Sequence, residues 1–465
     1  MRRGNFGAPD GSYAIPYGVR RLNGSSKLLP YHRFVRKITA VAYGVRCSDG
    51  ASMAPPPTAD CRFACSHTVR REAFERDAHM GVRSVFASRN TAYTSLYLQT
   101  WTNIMRILIA MSGGVDSSVA AALLLREGHS LEGFTFVTDA SPDSAAAVRD
   151  AARCADQLGI PHRVLDISDE FNAAVKEYFV SSYESGLTPN PCVACNREIK
   201  FGLISRYAET EGFDAVATGH YARLRRENGR TFLYCGADPK KDQAYMLAAV
   251  PEQSLARAVF PLGELTKDEI RRIADDLGIV TAYKKDSQDI CFIPDGDYAS
   301  FIEEYRGRAH VPGNYTSPNG VVLGSHRGHM CYTIGQRRGL GIALGKHMFV
   351  LERCAESNTV ILGDENELFR AEVFAYGLNL IGTDTLEDGA RLKARIRYAH
   401  RGAAATVFTE GDLLRVAFDE PQRAPTPGQL LVLTREDEFG TRVLGGAEII
   451  ANDRKTMPLA EGSLE

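Results

Sequence analysis

Residues 106–118 read Arg-Ile-Leu-Ile-Ala-Met-Ser-Gly-Gly-Val-Asp-Ser-Ser, and this stretch constrains the fold more than any other. Residues 107–111 are a short apolar run of the kind that makes a buried parallel strand. The run breaks at Gly113 and Gly114, and residues 119–126 are good helix formers. Glycine reaches backbone angles closed to other residues, so successive N–H groups can turn toward one point. A helix starting there adds its unpaired N–H groups and the positive end of its dipole. Ser112, Ser117 and Ser118 supply hydroxyl donors. The product is an anion cradle sized for phosphate or pyrophosphate. Asp116 falls inside it, where a carboxylate repels phosphate unless a cation stands between them. Mg²⁺, which binds through carboxylates plus phosphate oxygens, is the natural choice.

A strand–turn–helix corner with serine caps is the plain alternative. The full run resembles the Ser-Gly-Gly-Val-Asp-Ser loop of the N-type ATP pyrophosphatases. Those enzymes split ATP between its α and β phosphates and leave AMP on an oxygen to be displaced. The ordinary P-loop, Gly-x-x-x-x-Gly-Lys, does not occur in the chain.

The 465 residues suffice for two or three domains, and no uninterrupted apolar run approaches the length of a bilayer span. Net charge is −2, unevenly spread: residues 1–104 hold 15 Lys+Arg against 6 Asp+Glu, the remainder 40 against 51. The main body is acidic, so any nucleic acid must be held by a local basic surface. The first 104 residues mix arginine, serine, glycine and proline without helical or strand period. Such a composition fits a transit peptide. Its length and its acids Glu72, Glu75 and Asp77 fit better a start of translation at Met105. The segment is set aside as an extension. The protein is then expected in the cytoplasm, or in an organelle if the segment is a genuine transit peptide.

From 105 to about 305, apolar strands alternate with amphipathic helices. Residues 133–137, 162–165 and 215–218 read as strands; residues 143–158, 199–212 and 267–277 read as helices. This pattern predicts an α/β domain, a parallel sheet flanked by helices with its ligand beyond the carboxyl ends of the strands. A small central domain is expected over 306–370. Strand-like runs at 392–398, 405–408, 414–418 and 430–433 then predict a C-terminal antiparallel β-barrel over 371–465.

Ten cysteines are present, three of them in the extension. Cys154, Cys235 and Cys354 read as small buried hydrophobes. Thr188-Pro-Asn-Pro-Cys192-Val-Ala-Cys195-Asn196 reads as a proline-rigidified loop, and Asp286-Ser-Gln-Asp-Ile-Cys291-Phe292 follows about a hundred residues later. Near Lys200, Lys284 and Lys285, cysteines in polar loops are expected to form thiolates readily. Half a zinc site, a dithiol redox centre and idle thiols are the alternatives. No second Cys pair or His-x₃-His completes a zinc set.

Several further segments now bear on the choice: Asn190-Pro191, Cys195-Asn-Arg-Glu-Ile-Lys-Phe201, Ala217-Thr-Gly-His-Tyr221, Lys241-Asp-Gln243, Phe260-Pro-Leu-Gly263, Lys284-Lys-Asp-Ser287, Ile290-Cys-Phe-Ile293 and residues 332–341. In order and spacing, over 105 to about 450, they resemble the tRNA-specific 2-thiouridylases. The resemblance implies that ATP adenylates the C2 oxygen of a wobble uridine and that a cysteine persulfide replaces AMP with sulfur. By position, Cys195 matches the nucleophile and Cys291 the persulfide carrier, with a disulfide bond among the family's features. Ala110, Met111, Ser112, Gly113, Gly114, Val115, Asp116, Ser117, Phe136 and Gly219 match ATP contacts. Asn190, Pro191 and Cys192 fall where the target base is met. His220, Lys241, Asp242, Gln243, Arg397, Tyr398 and Gln429 match tRNA contacts. The implied partners are tRNA and a sulfur-donor protein or relay fed by a cysteine desulfurase, with no membrane.

Cys192 departs from the family, many members of which carry aspartate there. Cys192, Cys195 and Cys291 could provide three thiolates to an iron–sulfur cluster. Arg337 and Arg338, between glycines, read as a solvated turn or as local positive charge for phosphates. Two rival functions follow: a small-molecule ligase with the same ATP loop, and an iron–sulfur or redox carrier without ATP chemistry.

Overall fold

A computed structural model describes residues 104–282 and 290–451. The extension before Ile104, together with Lys284, Lys285 and the rest of 283–289, lies outside the described residues.

Four strands open the first described portion: β1 (Arg106–Ala110), β2 (Ser130–Val137), β3 (His162–Asp166) and β4 (Ala215–Ala217). A hairpin of β5 (Ala222–Glu227) and β6 (Arg230–Cys235) follows, then β7 (Ala258–Val259). β3-β2-β1-β4-β7 make a five-stranded sheet in which every pair is parallel. β1 is central, and Ile107, Leu108 and Ile109 are fully buried, as a strand covered on both faces must be. Ile107 and Ile109 pack with Val119 and Leu124 of the helix Val115–Arg126, Ala151 and Ala155 of Pro142–Leu158, and Ile270 and Ala274 of Lys267–Asp276. Each large aliphatic so buried contributes on the order of 1.5–3 kcal/mol.

Local signals set the helix ends. Ser141 caps Pro142–Leu158 by accepting from the Ser144 N–H at 3.2 Å, and left-handed Gly159 closes it. Thr266 and Glu269 form a reciprocal capping box at the start of Lys267–Asp276. Cys154 is buried as expected, whereas Cys235 and Cys354 are only half-buried.

The central portion is a four-stranded sheet of β8 (Gly313–Thr316), β9 (Val322–His326), β10 (Phe349–Cys354) and β11 (Thr359–Gly363), ordered β10-β11-β8-β9. The last portion comprises β12 (Phe369–Leu380), β13 (Ala390–Arg395), β14 (Ala403–Glu410), β15 (Leu413–Arg423), β16 (Leu430–Asp437) and β17 (Gly440–Ile449). They run β12-β15-β14-β13-β16-β17, and β12 pairs back onto β17, closing a six-stranded barrel. Val373, Leu392, Val407, Leu414, Val416 and Leu433 fill its interior.

The β5–β6 hairpin extends the barrel sheet, with Tyr234 opposite Arg442 and Leu233 opposite Val443. The Tyr245 hydroxyl donates to Leu430 O at 2.7 Å, and Asn379 Nδ2 donates to the Ala248 and Val250 carbonyls. The first portion and the barrel therefore share a core that includes Leu233, Leu247, Val250, Val432 and Val443. Among the described residues, no helix is long and apolar enough to cross a membrane.

Candidate functional site

The glycine loop expected to hold nucleotide follows β1. Gly113 has φ +68°, and a Cβ there would sit 2.7 Å from Ala147 O and 2.8 Å from Asp150 Cβ. The turn is thus wedged against the helix Pro142–Leu158. Gly114 is the extended N-cap of Val115–Arg126 without a side chain to cap it. The Ser117 and Ser118 hydroxyls donate back to Gly114 O at 3.1 and 3.0 Å, and Ser117 Oγ accepts from the Ser112 N–H at 3.2 Å. Ser112 is exposed at the mouth, while Met111, Val115 and Ser117 are buried beneath it. Ala110 ends β1, and Phe136 lies half-buried on the neighbouring β2.

Asp116 has two partners that sequence reasoning missed. Lys267 Nζ donates to both its carboxylate oxygens, at 2.8 and 2.9 Å, and the Tyr221 hydroxyl donates to Oδ1 at 2.7 Å. Lys267 is almost wholly buried at the first turn of its helix. Its place at the start of the helix expected over 267–277 was legible; its burial was not.

Gly219 follows β4 and closes the other side. A Cβ there would approach Asp116 C and Ser117 N to 3.1 Å, so the strand end touches the loop backbone directly. Next in the chain, His220 is buried, with Nδ1 2.6 Å from Thr218 Oγ1. Its ring packs with Phe201 and Phe260, at centroid distances of 5.8 and 5.7 Å. Burial, reinforced by the charge of Lys200, holds His220 well below the ordinary histidine range, so it is neutral.

The thiol segment is helical, not the loop expected from its prolines. Asn190 caps Pro191–Ala194 by accepting from the Cys192 and Val193 N–H groups at 3.1 and 3.4 Å. Pro191, at the first helical position, needs no N–H partner there. Cys195–Leu203 then continues as a wide π-type turn, a form frequent at functional sites. A Cβ on Gly202 would meet Arg197 O at 2.7 Å. A second π-type segment, Asn172–Lys176, packs against it.

Cys195 is buried and Cys192 and Cys291 are exposed. The three thiols lie close enough for Cys195 to feel the charge of both others. The expectation of easy thiolates is corrected here. Burial pushes Cys195 up to about 11, with Lys200 opposing. Desolvation also raises Cys192 and Cys291, only in part, because both reach solvent. The charge of Lys200 does not outweigh the loss of water. Among the described residues no group of three His, Cys, Asp or Glu is arranged to hold a metal ion.

The residues matched to tRNA contacts divide by burial. Tyr398 is exposed, Lys241, Gln243, Arg397 and Gln429 are half-buried, and Asp242 and His220 are buried. Asp242 accepts from the Gly236 and Ala244 N–H groups and pairs with Arg395 at 3.3 Å, so it anchors the segment. The Tyr398 hydroxyl donates to Asp242 O at 3.1 Å, Gln243 Oε1 accepts from the Tyr221 N–H, and Arg397 Nη1 donates to Arg423 O. Arg337 and Arg338 are fully at the surface.

His220 is one of several histidines that burial pushes down, with His162, His326, His400 and His329, the last to about 4. Below pH ~6.5 the unfolded chain takes up protons that the folded chain refuses, so stability is lost as pH falls from there toward 4. Calorimetry should give a lower melting temperature at pH 5 than at pH 7.5; a flat profile would contradict these burials.

Three family matches tile the described chain. Residues 105–295 match the tRNA methyl transferase HUP domain, 299–364 the tRNA methyl transferase PRC-barrel domain, and 372–449 the aminomethyltransferase beta-barrel domain. The chain is 45% identical over 358 residues to the tRNA-specific 2-thiouridylase MnmA of Carboxydothermus hydrogenoformans, covering 74% of this chain and 97% of that protein. It is 46% identical over 355 residues to the protein of the same name from Moorella thermoacetica, covering 74% and 98%. With that of Syntrophotalea carbinolica it shares 45% over 349 residues, again covering 74% and 98%.

Proposed function

The chain belongs to the tRNA-specific 2-thiouridylase family, and from that premise we propose how its own residues carry out ATP-dependent 2-thiolation of the wobble uridine of tRNA. One observation carries the reading. Gly219 lies on the nucleotide loop, and its neighbour His220 packs on Phe201, six residues after Cys195 in the same helical segment. ATP chemistry and sulfur chemistry thus meet across one strand end.

The uridine C2 oxygen attacks the α-phosphorus of ATP and pyrophosphate departs into the N–H groups after Gly113. Both Asp116 oxygens accept from Lys267 Nζ, and Oδ1 also accepts from the Tyr221 hydroxyl, so a Mg²⁺ ion held at this carboxylate would have to share it with the Lys267 ammonium. An ion bound there would supply charge neutralisation for the leaving pyrophosphate. Adenylation makes the oxygen a good leaving group. The terminal sulfur of a Cys291 persulfide attacks C2 and AMP leaves. Cys195 then attacks the Cys291 Sγ, breaking the S–S bond, releasing the thiolated base and leaving a Cys195–Cys291 disulfide. An external reductant restores the dithiol, and a sulfur-donor protein or relay reloads Cys291. Cys195 stays a protonated thiol until the base and persulfide arrive, and Lys200 favours its ionisation then.

The iron–sulfur alternative fits poorly. Among the described residues, Cys192, Cys195 and Cys291 do not form a ready ligand set. Exposed Arg337, Arg338 and Tyr398, with Lys241, supply a local surface for tRNA phosphates on a protein whose net charge is −2.

Nucleoside mass analysis of tRNA incubated with the protein, ATP, Mg²⁺, a donor carrying persulfide sulfur and a thiol reductant tests the reading. Expected is a uridine with sulfur in place of its C2 oxygen, and AMP released with it in equal amount. AMP release without sulfur in tRNA points instead to a small-molecule ligase. Protein purified anaerobically should be fully active without iron; activity that tracks iron content would restore the cluster.

A further inference from the structure

Thr188, four residues before Cys192, is held on three sides. Its N–H donates to Pro427 O at 2.8 Å, and its carbonyl accepts from Gln429 Nε2 at 2.8 Å, both next to the barrel strand β16. Its hydroxyl accepts from Arg353 Nη2 at 2.8 Å, and the same nitrogen donates to Gly186 O at 2.8 Å. Arg353 belongs to β10 of the central sheet and is 6% exposed. Its guanidinium lies over the Tyr183 ring at 5.3 Å, and Tyr183 stacks on Tyr298 at 4.7 Å. Phe179, one turn earlier on the same helix, takes Phe292, the neighbour of Cys291, edge-on at 5.6 Å. One side chain therefore reaches toward both thiol segments.

The arginine is an expensive choice for that place. No carboxylate pairs with it among the described residues, and its Nε and Nη1 are buried without a partner. A buried cation without a counter-ion is destabilising, and an apolar side chain of similar volume packs at lower cost. What an apolar residue cannot do is hold the Gly186 carbonyl and the Thr188 hydroxyl together. We propose that Arg353 is a positioning residue of the thiolation site. It fixes the Thr188–Cys195 segment against the central sheet and the barrel, so that Cys195 keeps its relation to Cys291 when tRNA engages those portions. The turnover consequence rests on the thiolation reading; the grip itself does not.

The test uses the full chain with Arg353→Met, Arg353→Lys, Thr188→Val and the Arg353→Met/Thr188→Val double variant. Turnover and KM for tRNA are measured, together with the rate at which iodoacetamide alkylates Cys195 without tRNA. Arg353→Met should lower kcat on the order of tenfold, as a small misplacement of reacting groups does, with KM for tRNA within about twofold, and should speed Cys195 alkylation. Arg353→Lys should recover part of both effects. Thr188→Val should reproduce part of the defect, and the double variant should fall short of the product of the singles, as coupled residues do. A folded Arg353→Met protein with unchanged kcat and alkylation overturns the proposal, and so does an effect confined to KM. If that variant does not fold, Thr188→Val decides by the same two readouts. Should the wild type thiolate no tRNA, the functional reading fails while the alkylation rates still decide the grip.

Discussion

Cys195→Ser and Cys291→Ser should each lower thiolation by at least about 1,000-fold, since removing an essential nucleophile leaves only the binding contribution to rate. A serine hydroxyl carries no transferable sulfur at 291. At 195 it is too weak a nucleophile to break the persulfide bond. The replacement is nearly isosteric. Cys195 has 9% of its surface exposed and, among the described residues, no side-chain hydrogen bond that serine would break, so the fold should persist. ATP affinity should stay within about twofold, because the glycine loop and this segment are linked indirectly, through Gly219, His220 and Phe201. Equilibrium ATP binding and single-turnover thiolation, measured on the same preparations, check both halves. Thiolation retained in either variant would falsify the assignment of that cysteine. Cys192→Ser is the natural control: a thiol needed only for its size tolerates the change.

Cys195 also shows where sequence ends as a guide. Its neighbours Pro189, Asn190 and Pro191 are turn residues by composition, yet Asn190 caps a helix and Pro191 occupies its first position. The same chemistry serves turns and helix starts, and tertiary packing decides between them. The π-type turn that continues from Cys195 has no sequence period of its own. Lys200 was legible as a nearby cation, but thiol ionisation depends on burial, which local sequence does not report. The strand–turn–helix corner was readable because all its determinants are local: an apolar run, two glycines and a helix former within 21 residues, 106–126. Its partner Lys267 lies 151 positions away. The parallel sheet and the closed barrel followed from alternation. The junction through β5 and β6 did not, since Tyr234 pairs with Arg442 across the length of the chain. Thr188 and Arg353 likewise meet only in three dimensions.

The two glycines of the loop look equivalent in sequence and should not behave alike. Gly113→Ala places a side chain at φ +68°, a left-handed conformation that costs non-glycine residues about 1–2 kcal/mol. Its Cβ would also lie 2.7 Å from Ala147 O and 2.8 Å from Asp150 Cβ, atoms of a helix that cannot yield as the tip of a flexible side chain can. Relieving that overlap means shifting Pro142–Leu158 or unwinding the turn, at a further cost of about 1–3 kcal/mol. Unfolding by denaturant should therefore show a total loss of about 2–5 kcal/mol, and ATP affinity should fall at least about tenfold as the N–H groups lose their common target. Gly114→Ala meets neither obstacle. Its backbone is extended, φ −101° and ψ 166°, and an added Cβ encounters only Ser112 Oγ at 3.3 Å. It should cost under about 1 kcal/mol, the usual limit for replacing a glycine N-cap by alanine. If the two alanine variants lose stability and ATP affinity equally, the loop does not hold the Gly113 conformation against that helix. The cradle for the departing pyrophosphate would then have to be formed in another way.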